Sequence, residues 1–308
     1  MRARVLIRPK AGILDPQGQT VERALPALGF EGVSNVHVGR LDELDVEDPS
    51  RLAEMCEQLL ANPLIEDYEI VGPPDGAVPI VAGPDDPRRY PFVKYGVVRF
   101  PGTCDDYDAL LACSKLGEAE FLWHADRDLG GVDAVVVPGG FSYGDHLRVG
   151  AIARFAPVME EVERFARRGG LVLGICNGFQ ILCEAGLLPG ALLPNTNLRF
   201  SMRQTRLEVQ RSACLWTRDV APGTRLSIPA KHTTGRFYAP EPVLDEMRAN
   251  GQVVLRYVED PMHNGSVDDI AGVCNAAGNV LGLMPHPEHA VDVLTGSVDG
   301  LKLIGAAA

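Results

Sequence analysis

The chain has 308 residues, with 29 Lys+Arg against 41 Asp+Glu and a formal net charge of −12. Roughly 150 residues per domain makes two domains the first expectation, and 46% hydrophobic with 23% charged residues excludes disorder as the general state. The acidic balance argues against nucleic-acid binding by phosphate neutralisation, and leaves small anionic substrates open.

Seven cysteines is an odd number, and none has C-x-x-C spacing, so neither a disulfide framework nor a zinc ribbon is supported. The opening MRARVLIRPK has too short an apolar run for a signal peptide. No apolar stretch approaches the ~18 residues of a membrane span. A reduced, cytoplasmic setting without membrane contact is the expectation.

In chain order, Arg4–Arg8 predicts a short strand. Asp15-Pro16 pairs an N-cap with proline at the first helical position and opens a helix toward Leu28, stopped by Gly29. Val33–Val46 alternates in parts, as one strand or a strand split in two. His37 reads as a strand residue. Asp48-Pro49 repeats the helix-start device, with Leu52, Met55, Cys56, Leu59 and Leu60 on one face. Leu64–Val71 closes a small α+β unit, residues 1–76, that holds no catalytic constellation. Gly72–Pro91 is rich in proline, which suits neither helix nor central strand, and residues 77–91 are expected to be a semi-rigid linker.

Residues 92–308 alternate strands and helices. Strands are predicted at Val93–Phe100, Ala134–Val137, Leu171–Ile175, Val253–Val258 and Asn279–Met284. Helices are predicted at Asp106–Leu116, Phe155–Arg168, Asn177–Ala185 and Val243–Ala249. Apolar strands alternating with helices point to an α/β, doubly wound, mostly parallel sheet, in which sites form at the carboxyl ends of strands.

One such end carries Gly174-Ile175-Cys176-Asn177-Gly178, an apolar strand running directly into a helix with cysteine at the junction. It has the shape of G-x-S-x-G with cysteine in place of serine. The helix N-terminus favours thiolate, and the Asn177 N–H is placed to stabilise an oxyanion. Buried structural cysteine is the commoner fate of the residue, and is the reading for Cys56, Cys113 and Cys183. At Cys176 the flanking glycines favour a nucleophile.

A thiol nucleophile needs a base and the base an orienting group. Pro285-His286-Pro287-Glu288 presents an imidazole just beyond a strand end, with a carboxylate two residues on to hold its tautomer. The competing readings are a turn histidine or a metal pair with His289, for which no third ligand cluster is evident. A third strand end, Pro138-Gly139-Gly140, offers bare backbone N–H groups as the second oxyanion donor. No G-x-G-x-x-G or P-loop lysine follows it to support phosphate binding.

Gly174-x-Cys176-x-Gly178-x-Gln180 with His286-x-Glu288 resembles the class I, triad glutamine amidotransferases. VRFPGTCDD (98–106), VVVPGGFSYGDHLRVGAIARF (135–155), LGICNGFQIL (173–182), NGSVDDIAGV (264–273) and GLMPHPEHAVD (282–292) resemble the glutaminase subunits of phosphoribosylformylglycinamidine synthases through residues 92–308. RVLIRPKAGILDPQG (4–18), LGFEGV (28–33) and NPLIEDYEI (62–70) resemble the small accessory subunits, so the chain looks like a fusion.

The resemblance implies that Cys176 attacks the glutamine side-chain amide, that His286 protonates the leaving ammonia, and that a thioester is hydrolysed. Gly139, Gly140, Asn177 and Gln180 would be the oxyanion and substrate-binding residues. It further implies a separate synthetase partner that receives the ammonia and uses ATP and Mg²⁺, and no cofactor or metal in this chain. Residues 1–76, with no catalytic residues of their own and a proline-rich tether, are expected to be an adaptor to that synthetase. Lys231-His232-Thr233-Thr234-Gly235 departs from the family's His-Gly-Glu-Gly, so no role falls to His232. The final helix after GSVDGLKL is expected to be short. Two alternatives are a cysteine-elbow hydrolase of the flavodoxin-like group and an inactive docking scaffold. The first commonly has histidine directly after cysteine, where this chain has Asn177, and the second needs an incomplete triad.

Overall fold

The computed structural model describes residues 2–10, 22, 25–26, 32–45, 52–56, 66–71, 93–258 and 264–307. The chain divides into two compact units, Met1–Val81 and Ala82–Ala308.

In the first unit, strands β1 (Arg2–Pro9), β2 (Arg40–Asp45) and β3 (Glu66–Val71) form an antiparallel sheet in the order β2-β1-β3. The register pairs Leu6 with Leu41 and Glu69, and Pro9 with Glu66. Val5 and Ile7 are buried, as period-2 alternation requires of a sheet with one covered face. A helical turn at Leu52–Met55 falls within the run predicted as the second helix. The start signals at Asp15-Pro16 and Asp48-Pro49, and the whole of 77–91, lie outside the described residues. The strand expected from Val33 begins only at Arg40. Gly32 and Asn35 take positive φ of 79° and 61°, which interrupts an extended run. His37 therefore lies in irregular backbone, exposed, and not in a strand.

The second unit is built on a nine-stranded sheet. Its strands are β4 (Lys94–Arg99), β5 (Glu118–Trp123), β6 (Ala134–Val137), β7 (Leu171–Ile175), β9 (Ser201–Val209), β10 (Arg225–His232), β12 (Val253–Tyr257), β13 (Ile270–Cys274) and β14 (Val280–Leu283). Their order is β10-β9-β12-β13-β14-β7-β6-β4-β5. From β14 to β5 every pairing is parallel, and from β10 to β14 every pairing is antiparallel. A separate two-stranded ribbon joins β8 (Ala191–Leu193) to β11 (Arg236–Tyr238). The parallel half is the doubly wound part, and β6 and β14 are buried along their whole length.

The helices form where their signals stand. Pro157–Arg167 opens with proline in its first turn. It turns Val158, Met159, Val162 and Ala166 inward and lays Arg164 against Glu160 and Glu161 outside. Asn279 pins the start of β14, donating to the carbonyls of Ala166 at 2.8 Å and Gly170 at 2.7 Å. The final helix, Leu301–Ile304, is short as expected.

Candidate active site

Strand ends of the parallel half converge on one cavity of about 200 Å³, with Cys104, Asp105, Gly140, Cys176, Lys231 and His286 in its wall. β4 leads into Phe100–Asp105, β6 into Gly139-Gly140, β7 into Cys176, and β14 into His286. Lys231 arrives from the antiparallel side, on β10. That topology places chemistry at carboxyl ends, as doubly wound sheets do.

Cys176 sits in a strained elbow, with φ 50° and ψ −102°. Such backbone costs on the order of 1–3 kcal/mol in a non-glycine residue and persists only where its surroundings impose it. Here the Cys176 N–H donates to the Leu283 carbonyl at 2.8 Å, and the Cys176 carbonyl accepts from the Gln180 N–H at 3.1 Å. Leu283 ends the strand that leads to His286, so the thiol and the imidazole are indexed to each other through one backbone bond. Gly178 lets the helix lie against β6, since a Cβ there would stand 1.8 Å from the Val137 carbonyl oxygen. Burial pushes the thiols of Cys113 and Cys183 up, as suits structural cysteines. The Cys176 thiol faces the cavity and donates to the Lys231 carbonyl at 3.6 Å.

His286 is buried, and its N–H donates to the Pro229 carbonyl at 2.7 Å. Nδ1 lies 2.5 Å from Glu288 Oε1. The carboxylate can only accept, so Nδ1 carries a proton and Nε2 is the nitrogen left to exchange one with the reactants. Nε2 is buried without a nitrogen or oxygen hydrogen-bond partner among the described residues. The Cys176 sulfur acts on the ring through its charge and through hydrogen bonding, and the thiol also donates to the Lys231 carbonyl. Burial disfavours the imidazolium, yet the charges of Glu288 and Cys176 outweigh it and hold the His286 pKa well above its usual value.

The Asn177 N–H, at the first helical position, has no intrahelical acceptor, so it is open to an oxyanion. Gly140 forms a bridge with Thr103 whose bonds are Phe141 N–H to the Gly102 carbonyl and Cys104 N–H to the Gly139 carbonyl. Its own N–H is unused there. Gly140 has φ 141°, and a Cβ would stand 2.5 Å from the Cys104 nitrogen. Gly139 is not in the cavity wall. It faces Asp105 and His286, and its carbonyl accepts from Cys104 and Asp105. The Asn177 side chain accepts from the Ser142 N–H and donates to Gln180 Oε1 at 2.9 Å, tying the Gly139-Gly140 turn to the elbow helix. Gln180 lines the cavity, with its Nε2 donating to the Thr234 carbonyl at 2.6 Å.

Several site residues escaped the sequence reading. Asp105 is buried, with Oδ1 at 2.5 Å from Lys231 Nζ and 3.4 Å from His289 Nε2. Burial works against its charge, but His289, His286 and Lys231 outweigh that and hold its pKa below the usual carboxylate range. The expectation that no third donor stands by the histidines is corrected, because donor atoms of Asp105, His286, Glu288 and His289 lie within 4.8 Å of one another. Those donors are already engaged: the ammonium of Lys231 holds Asp105, and Glu288 holds His286. His232, given no role, also lines the cavity. Burial and the neighbouring His286 charge push it down to about 4, so it stays neutral and bonds Asn195 through Nδ1. The usable signal for Asp105 was its place just past a parallel strand, in a loop folded back on Gly139.

Residues 93–300 match the family described as CobB/CobQ-like glutamine amidotransferase domain, and residues 2–72 match the PurS family, described as phosphoribosylformylglycinamidine (FGAM) synthase. The phosphoribosylformylglycinamidine synthase subunit PurQ of Mycobacterium bovis is 59% identical over 216 residues, covering 70% of this chain and 96% of its own. That of Rubrobacter xylanophilus is 56% identical over 213 residues, covering 69% and 96%. Among solved structures, PurLQS from Thermotoga maritima aligns with a TM-score of 0.65 and 41% identity, over 70% of this chain and 97% of that one. No helix among the described residues is long and apolar enough to cross a membrane. The chain belongs to the CobB/CobQ-like glutamine amidotransferase family, a PurQ-like unit joined behind a PurS-like one.

Proposed function

We propose that this chain is the glutaminase component of phosphoribosylformylglycinamidine synthase, working in the cytoplasm in purine biosynthesis. The observation that carries the reading is the strained thiol of Cys176 indexed through Leu283 to an imidazole whose Nδ1 is committed to Glu288. Sγ gives its proton to His286 Nε2 and attacks the carboxamide carbon of glutamine, and the oxyanion is held by the N–H groups of Gly140 and Asn177. His286 Nε2 delivers its proton to the amide nitrogen, the C–N bond breaks, and ammonia leaves a thioester. Water then attacks, giving its proton to Nε2, and the C–S bond breaks to release glutamate.

The ammonia goes to a separate synthetase, which uses ATP and Mg²⁺ to convert formylglycinamide ribonucleotide to the amidine. Residues 1–76 serve as the adaptor between the two, and 77–91 as the tether that raises its local concentration. The test is synthesis from glutamine by the cognate synthetase with the full chain, and with the chain lacking residues 1–76. The full chain should support it. At equal dilute concentration the shortened chain should support less. No glutamine-dependent synthesis by the full chain sinks the function; equal synthesis by both sinks the adaptor.

Glu288→Gln tests the orienting acid. An amide can accept from Nδ1 but cannot stabilise the imidazolium, so kcat should fall about 10²–10⁴-fold with the fold intact. Circular dichroism and steady-state kinetics check this, and unchanged turnover would mean that another group orients His286.

A further inference from the structure

The cavity wall holds one charged pair that the steps above leave unused. Asp105 Oδ1 accepts from Lys231 Nζ at 2.5 Å. Its other oxygen, Oδ2, lies 3.6 Å from His286 Nδ1, the nitrogen already bonded to Glu288. The imidazole edge thus faces two carboxylates from different parts of the chain. The packing leaves no slack, because a Cβ on Gly139 would stand 2.5 Å from Asp105 Oδ2 and 2.8 Å from His286 Cε1. Asp105 is tied by its own N–H to the Gly139 carbonyl, at the turn that presents Gly140. Lys231 is tied by its carbonyl to the Cys176 thiol. One ion pair therefore spans the oxyanion turn, the thiol's acceptor strand and the imidazole.

A plain structural salt bridge is the simpler account. It explains the contact at Oδ1 but not why the second oxygen stands 3.6 Å from Nδ1. Nor does it favour burying the Asp105 carboxylate against a half-exposed Lys231, since desolvation works against the attraction. We propose that Asp105 is a positioning residue for the reaction. Together with Glu288 it orients His286 and sustains its protonated form, and Lys231 tempers how much of the Asp105 charge reaches the ring. This rests on His286 being the group that protonates the leaving ammonia.

The charged and titratable groups around His286 are Glu288 and His289 on its own segment, Asp105 from the β4 loop, Cys176 from the elbow, and Lys231 and His232 from β10. Removing the Asp105 charge leaves Lys231 uncompensated, so imidazolium becomes less favourable. Removing the Lys231 charge exposes Asp105, so imidazolium becomes more favourable. The two substitutions should move the same titration in opposite directions, which a structural role would not do.

The experiment is the pH dependence of glutamine-dependent kcat/KM for the full chain assembled with its synthetase. The alkaline limb reports loss of the imidazolium proton. Asp105→Asn should lower kcat about tenfold, leave KM within about twofold, and move that limb to lower pH. Lys231→Met should move it to higher pH. A superimposable profile for Asp105→Asn, or shifts of the same sign in both variants, overturns the proposal. If Asp105→Asn does not fold, an unmoved limb in Lys231→Met overturns it alone. Cys176→Ala run beside them separates the two levels. Retained glutamine use there defeats the thiol chemistry itself, whereas loss there with unmoved limbs defeats only Asp105.

Discussion

Cys176→Ala should lower glutamine-dependent synthesis by the assembled complex at least about 10³-fold, because residues of a nucleophile–base set act as a unit. Synthesis from added ammonium should be unchanged, since only cleavage of the amide needs a thiolate. The substitution is sterically mild. Cys176 contributes a single sulfur to a cavity that is already open, and its backbone is held by Leu283 and Gln180 through main-chain atoms. Alanine in a positive-φ position is strained as cysteine is, so the elbow should persist. The measurement is product formation with glutamine and, separately, with ammonium, at matched complex concentration. Residual glutamine-dependent turnover above ~10⁻³ of wild type would remove Cys176 from the nucleophile's role.

Much of this site was legible because its signals are local. Gly174-Ile175-Cys176-Asn177-Gly178 carries the elbow in five consecutive residues, and β7 and the helix at Asn177 form where the apolar run and the glycines put them. β6 at Ala134–Val137 was visible for the same reason, as a continuous apolar run stopped by Pro138. In the antiparallel half β12 was visible too, at Val253–Tyr257, but β9, β10 and β13 were not. β9 and β10 carry no continuous apolar run. β9 is polar through most of its length, and β10 alternates Leu226, Ile228 and Ala230 with polar residues around Pro229, a residue that argues against a strand interior. β13, buried throughout, is five residues long and merges with a loop rich in Asp and Gly. Asp105 and Lys231 were hidden for a different reason. They are 126 positions apart, and an ion pair at that separation leaves no periodicity and no motif. Two glycines after a strand look alike in sequence. The fold distinguishes them, giving Gly140 to the cavity and Gly139 to the packing of Asp105 on His286.

Gly178→Ala should cost glutamine-dependent activity at least about 10²-fold although it touches no reacting atom. A Cβ at this position would stand 1.8 Å from the Val137 carbonyl oxygen and 2.6 Å from its carbon. Both are backbone atoms of β6, so no rotamer change relieves the overlap. Contacts of this kind relax only near 3.5 Å, so the helix must withdraw from the sheet by more than about 1 Å. Withdrawal moves Asn177, whose N–H faces the oxyanion position, away from Gly140, whose N–H is fixed on the β6 side. It also pulls on the elbow at Cys176, which is bonded to the His286 strand through Leu283. A misplacement of about 1 Å in such a set is worth on the order of 10² in rate, and overpacking adds about 1–3 kcal/mol of destabilisation. Gly186→Ala is the matched comparison. It has φ +69° and nothing within 4 Å of a Cβ, so alanine there meets backbone strain alone. Its melting temperature should fall while kcat stays within about twofold of wild type. Thermal melts and glutamine-dependent kinetics of both variants decide the matter. If Gly178→Ala kept its rate, or lost no more of it than Gly186→Ala, close approach of the elbow helix to β6 would not be what aligns the thiol with its oxyanion donors.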